Sequence, residues 1–395
     1  PVAKPGMGAS IAPNLRRWGP VRRVGIVGLL IGLFFVGAIV WGNHRDPAVL
    51  LAIGAESPQH DEATELLNRD IVSRQSIGHD GRFFFFQALD PLYLGDSHYA
   101  HQLDLQIYRG QRMFYPLLAG LGGLAPPTAV PWLMALVQVL AYGVGTAATA
   151  RIAEQQGSSS WWGLAFALNI GLLMAVLVGG AGVVALACAM TGTALIGDRR
   201  PTLAGLALLA AVLSREVMVL YVVGVVLHEW YKTRRVPFVL GGIPAVGFIG
   251  WYAYISVRLE STALVESNEA TGLPFVGIVE AAPNWWGDFE NMSTAAISFV
   301  AGALLIRLLF RRATHLIAGS VGFVVLASML SELVWREAFD ISRGLTPVYT
   351  AFVVATFANA RTGRDGAGDP PPQNTKGERP GSRRRLGVSR QRAAV

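Results

Sequence analysis

Residues 76–93 read SIGHDGRFFFFQALDPLY, with His79 and Asp80 standing directly before four consecutive phenylalanines. A carboxylate drawn partly out of water has its pKa raised and can act as a general base. The same aspartate is a good helix N-cap, since its oxygens accept backbone N–H groups, and the two roles do not exclude each other. Further on, IYRGQRMFYP carries Arg109 and Arg112. Three residues apart on a helix, they fall on one face. Guanidinium groups grip phosphate bidentately and stay charged when partly dehydrated, so the pair suits a lipid phosphate; snorkelling to ordinary headgroups is the alternative. Arg215 and Glu216 are neighbours inside an apolar stretch, and Arg343 sits in DISRGLTPVY. Ionisable residues at membrane depth are costly and mark function, or else satisfy each other as a structural pair. Arg343 faces either the same cavity or the headgroups.

The elements that must position these residues follow from composition and hydropathy. Hydrophobic residues make up 52% of the 395 residues, charged residues 15%, and the mean hydropathy is +0.42. That exceeds what a water-soluble core of this size needs and gives an all-α, polytopic transmembrane helix bundle. The run 24–41 is long enough to cross about 30 Å of hydrocarbon, and the WGNHRDP that follows offers no cleavage site, so it reads as an uncleaved first helix. Further spans are expected over 129–150, 161–178, 181–197, 237–257, 290–310, 314–334 and 345–360. The stretch 203–229 has basic residues at both ends, which places both ends on one side. Two short helices, 203–213 and 217–229, meeting at Ser214, Arg215 and Glu216 satisfy that condition and bring the total to about 10. The segment 113–124 is too short to span and is expected at the interface.

The chain therefore divides into a basic cytoplasmic tail (1–23), a transmembrane domain (24–360) and a disordered basic tail (361–395), with 43–128 as the first extracytoplasmic loop. Segments assigned to the cytoplasm hold 23 of the 33 Lys and Arg, which puts both termini there. The same asymmetry explains the net charge of +7 without nucleic acid. The first loop holds five of the seven histidines and ten acidic residues. Within it, 81–89 reads as a short helix ended by Asp90 and Pro91, lying at the outer interface with its rings in lipid or against the bundle and Asp80 facing a cavity. The HxxH of 98–101 lacks a third ligand at fixed spacing and gives no metal site. Cys188 is the single cysteine, so neither an intrachain disulfide nor a CxxC motif is possible. P-loop, GxSxG and strand-borne GxGxxG signatures do not occur.

HDGRFFFFQALDPLY in a long outer loop, YRGQRMFYPLLAGLGG, WWGLAFALNIGLL and LAGLALLAAVLSREVMVLYV together resemble bacterial integral membrane glycosyltransferases of the C-type (GT-C) fold. The resemblance implies a polyprenyl-phosphate sugar as donor, a glycan, lipid or protein as acceptor, and a catalytic acid in the first outer loop, matched here by Asp80. It also implies that His79, Arg109, Arg112, Arg215, Glu216 and Arg343 contact substrate, in the plasma membrane and among its lipids. Asp80 would take a proton from an acceptor hydroxyl, whose oxygen would displace the lipid phosphate with inversion; a divalent cation could assist without being required. The chain departs from the pattern at MAVLVGGAGVVALA, where many relatives carry an acid at the outer turn. A transporter or flippase for a lipid-linked or amphipathic substrate is the main alternative, and a noncatalytic scaffold of an envelope complex is a third.

Overall fold

The structure, a computed structural model, describes residues 12–71, 77–95, 98–259 and 271–357. The tail expected over 361–395, and residues 1–11 of the N-terminal tail, lie outside the described residues. Among the described residues the regular structure is helical, and extended pairing is limited to the isolated bridges Ile53–Gly78 and Thr271–Leu330.

Helix α1 (Ala12–Gly42) leads into the long loop 43–128, called the outer loop after its expected side, which holds α2 (His60–Leu67), α3 (Gly81–Leu89), α4 (Gln106–Gly110) and α5 (Phe114–Ala119). Helix α6 (Val130–Gln155) packs back along α1. The bundle continues through α7 (Leu164–Ala167), α8 (Ile170–Leu177), α9 (Gly182–Gly197), α10 (Pro201–Ser214), α11 (Met218–Thr233) and α12 (Phe238–Arg258). After α13 (Val276–Ala281) come α14 (Phe289–Arg312), α15 (His315–Met329), α16 (Glu332–Trp335), α17 (Ala338–Gly344) and α18 (Thr346–Phe357).

Five helical stretches are long and apolar enough to cross a membrane: Gly19–Gly42, Pro127–Gln155, Ser160–Leu177, Phe238–Arg258 and Phe289–Arg312. Helices α9, α10, α15 and α18 are apolar but span only 10–17 residues each. Exposed Leu30, Leu33 and Phe34 on α1, Val246 and Ile249 on α12, and Ile297 and Val300 on α14 give these helices apolar outer faces that suit hydrocarbon rather than water. The stretch expected as one helix over 161–178 is broken. Asn169 adopts extended backbone and its side chain accepts the Gly171 N–H (3.0 Å), starting α8 afresh. Its amide donates to the Thr346 carbonyl (2.9 Å) and to Thr350 Oγ1 (3.0 Å), tying the break to α18.

The outer loop is packed into the protein rather than spread over its surface. Phe83, Phe84, Phe85 and Phe86 are each at most 2% exposed, so all four rings face protein and none faces lipid. Phe84 meets Tyr115 edge-on, with ring centres 5.3 Å apart, which joins α3 to α5. Helix α5, expected at the interface, likewise buries Tyr115, Pro116 and Ala119.

Candidate active site

Backbone geometry fixes Asp80 before its side chain is considered. The His79 N–H donates to the Ala52 carbonyl (2.9 Å) and the Gly81 N–H to the Val178 carbonyl (2.9 Å), so one neighbour of Asp80 is anchored within the outer loop and the other to the end of α8. A Cβ at Gly81 would overlap the carbonyls of Leu50 and Leu51, and one at Gly179, where φ is +62°, would overlap the Leu50 oxygen. The glycines of the α8–α9 turn thus let three backbone segments meet beside Asp80. This is the VGGAG stretch that lacks an acid, and its Gly180, Ala181 and Gly182 line open space instead.

That space is a cavity of about 620 Å³. It is lined by Asp80, Asp104, Arg109 and Arg112 of the outer loop, Arg215 and Glu216 between α10 and α11, and Asp340 and Arg343 of α17. Leu326, Leu330, Leu333 and Val334 give it an aliphatic wall on α15 and α16. Six of the seven residues singled out in the sequence converge here. His79 does not line the cavity; its ring packs 5.9 Å from that of Phe339 on α17.

The four arginines are held in different ways. Arg109 Nη1 donates to Asp80 Oδ1 (2.8 Å), while its Nε and Nη2 donate to the two oxygens of Asp104 (2.9 and 3.1 Å). Its guanidinium also lies over the Phe83 ring at 4.2 Å. Arg112 donates through Nε and Nη2 to Glu216 (2.6 and 2.7 Å) and also to the Tyr108 hydroxyl. The expectation that Arg109 and Arg112 share a helix face is not met, because α4 ends at Gly110 and Arg112 lies beyond it. Arg343 Nη2 donates to Asp340 (2.9 Å), and its Nη1 lies 3.5 Å from Asp80 Oδ2. Arg215 donates to the Arg343 carbonyl (3.1 Å), and no carboxylate lies within ion-pairing distance of it among the described residues. Its backbone is extended (φ −154°), which ends α10 and separates it from α11.

Asp80 stands immediately before α3, yet its side chain makes no cap hydrogen bond; the carboxylate is turned to the guanidinium groups instead. Burial pushes its pKa up, but the charges of Arg343, Arg112 and Arg109 outweigh burial and hold the carboxyl well below the usual carboxylate range. The expectation of a raised pKa is thus reversed, because partial desolvation comes with three cations. Asp104 and Asp340 were not singled out from sequence. The signal available for them was local: Asp340 lies three residues before Arg343 on a helix, and Asp104 five before Arg109. Among the described residues no group of three or more His, Cys, Asp or Glu side chains can hold a metal ion. Each cavity carboxylate already faces a guanidinium, a donor set that does not fit a resident divalent cation.

Comparison with family models, with curated proteins and with solved structures gives no match.

Proposed function

We propose that the protein is a multi-pass glycosyltransferase of the bacterial plasma membrane, with about ten membrane segments of GT-C type and both termini in the cytoplasm. It moves a sugar from a polyprenyl-phosphate donor to an acceptor hydroxyl at the extracytoplasmic face. One observation carries this reading: a single cavity of about 620 Å³ joins a wall of arginines and carboxylates to an aliphatic wall. A charged wall beside an aliphatic one suits an amphiphile with an anionic headgroup.

The satisfaction of each arginine assigns its part. Arg109 and Arg112 are occupied by carboxylates, so the donor phosphate falls to Arg215 and Arg343, whose donors are freer. Arg109 and Arg112 then orient Asp80 and brace the cavity. In the reaction the acceptor O–H passes its proton to the Asp80 carboxylate, and the acceptor oxygen bonds to the anomeric carbon. The bond from that carbon to the phosphate oxygen breaks, and its electron pair leaves with the lipid phosphate. Arg215 and Arg343 stabilise the departing charge, and a single displacement inverts the anomeric carbon.

Assay of the purified chain against a panel of polyprenyl-phosphate sugars tests this reading. Asp80→Asn should leave folding and insertion intact and lower transfer by about 10²–10⁴-fold, the scale of a lost general base. Transfer at the wild-type rate in that variant removes Asp80 from the mechanism. The break between α10 and α11 at a charged cavity is also a feature of transporters, whose binding sites use discontinuous helices. Lipid translocation by the wild type without sugar transfer would favour that second reading.

A further inference from the structure

We propose that Arg343 is a ligand-responsive clamp on Asp80: an anionic headgroup seated between Arg215 and Arg343 draws Arg343 off Asp80, so the carboxylate gains proton affinity when the cavity fills. The proposal rests on the reading above, that an anionic headgroup occupies this cavity.

The geometry singles out Arg343 among the cations around Asp80. Arg109 is locked by three hydrogen bonds to two carboxylates and by the Phe83 ring beneath it. Arg112 is committed to Glu216 through two bonds. Arg82 spends Nη1 on the Ser57 hydroxyl (3.0 Å) and the Ile77 carbonyl (2.6 Å). Arg343 touches Asp80 at 3.5 Å, the longest of the ion pairs in this cavity, and its closer partner Asp340 belongs to its own helix. Its guanidinium also lies over the Phe339 ring at 5.3 Å, again on its own helix, so the contact with Asp80 is the long one it makes to the side chain of another element. Arg215, which has no carboxylate partner among the described residues, is bonded to the backbone carbonyl of Arg343, and both side chains line the same cavity. A phosphate seated there accepts from both.

The other ionisable groups facing Asp80 stay as they are. Asp104 remains on Arg109, Glu216 remains on Arg112, and Asp340 keeps its place on α17. His79, the neighbour in the chain, is turned to Phe339. Against the burial that raises it, the charges of Arg343, Arg112 and Arg109 and the Arg109 hydrogen bond all lower the Asp80 pKa, and of the two guanidinium groups in contact with the carboxylate Arg343 is the one at the longer distance. Its withdrawal, with an anion placed nearby, shifts Asp80 upward. Asp80 flanked by Arg343 is thus a weak base, and Asp80 released from it a stronger one. By reciprocity, protonating Asp80 must tighten anion binding by the same factor.

The test uses the full chain in lipid nanodiscs and hexadecyl methyl phosphate, a phosphodiester whose single charge is constant over the pH range used. Its Kd is measured from pH 7 to pH 4. In the wild type the affinity should rise as pH falls, by about threefold to tenfold in all, as expected for a proton whose uptake is coupled to binding only toward the acid end of this range. Asp80→Asn should bind with a flat pH profile, and Arg343→Gln should bind more weakly with a reduced pH response. Thermal unfolding confirms that each variant is folded. Binding by the wild type that does not change with pH overturns the clamp and leaves the transferase reading standing. A rise of equal size in Asp80→Asn overturns it too, because another group would then take up the proton. No binding at any pH overturns both the clamp and the reading on which it rests.

Discussion

The pair formed by Arg112 and Glu216 joins the outer loop to the break between α10 and α11, and its removal should be felt by both. Arg112 is 9% exposed in its side chain and Glu216 17%, and the carboxylate accepts two short bonds from the guanidinium. Glu216→Gln keeps the shape but removes the charge, leaving a largely buried cation without its counterion. Breaking a buried pair from one side costs about 3–5 kcal/mol. The amide oxygen keeps one of the two bonds and the cavity admits some water, which places this case near 3 kcal/mol, the lower end of that range. For a chain of this length about 1–2 °C per kcal/mol applies, so Tm in nanodiscs should fall by about 3–6 °C. Hydrogen exchange should rise in residues 106–113, the segment the pair holds down. The double variant Arg112→Met with Glu216→Leu should recover most of the loss, since apolar replacement of a whole buried pair is close to neutral. A Tm within about 1 °C of wild type for Glu216→Gln, with unchanged exchange in 106–113, would refute the claim that this pair holds the loop to the bundle.

Two further outcomes follow from the same geometry. Asp80 has a folded-state pKa below its unfolded value near 3.9, so its contribution to stability is present above that value and lost as pH falls through the folded one. The difference in Tm between wild type and Asp80→Asn should therefore stay constant from pH 8 to about pH 5 and shrink only below about pH 4; a difference that closes near pH 6 would contradict the low pKa. Gly179→Ala places a side chain against the Leu50 carbonyl at a positive φ and should cost about 2 kcal/mol or more, displacing the turn that anchors Gly81; chemical denaturation showing no loss would mean that the three segments do not meet as described.

Much of this architecture is legible in the sequence because long apolar helices leave strong marks in hydropathy. The two short helices expected over 203–213 and 217–229 are present, with α10 ending at Ser214 and α11 beginning at Met218. Hydropathy bounded α12 and α14 to within two residues, since apolar length is read directly from composition. The interruption at Asn169 was missed because one capping side chain hardly lowers the mean hydropathy of an apolar stretch. The orientation of the four phenylalanines is not legible in the sequence because interior and lipid are equally apolar, and only packing against Tyr115 and its neighbours separates them.

The candidate site was legible as a set of residues but not as a set of pairs. Costly charges inside an apolar stretch point to Arg215 and Glu216, and the phenylalanine run beside it points to Asp80. Which arginine is saturated depends on Asp104 and Asp340, ordinary acids until the fold sets them against Arg109 and Arg343. The sign of the Asp80 shift turned for the same reason. Burial is a property of one position, whereas the field of three guanidinium groups comes from the outer loop and α17 together.

The central claim is that an anionic lipid headgroup sits in the arginine cavity beside Asp80. The most direct measurement is a cryo-EM map of the full chain in nanodiscs supplied with a polyprenyl phosphate. The account predicts phosphate density within about 3 Å of the guanidinium groups of Arg215 and Arg343, with the first isoprene units along Leu326, Leu330 and Leu333. A phosphate bound elsewhere, with the cavity closed by its own side chains, would contradict it.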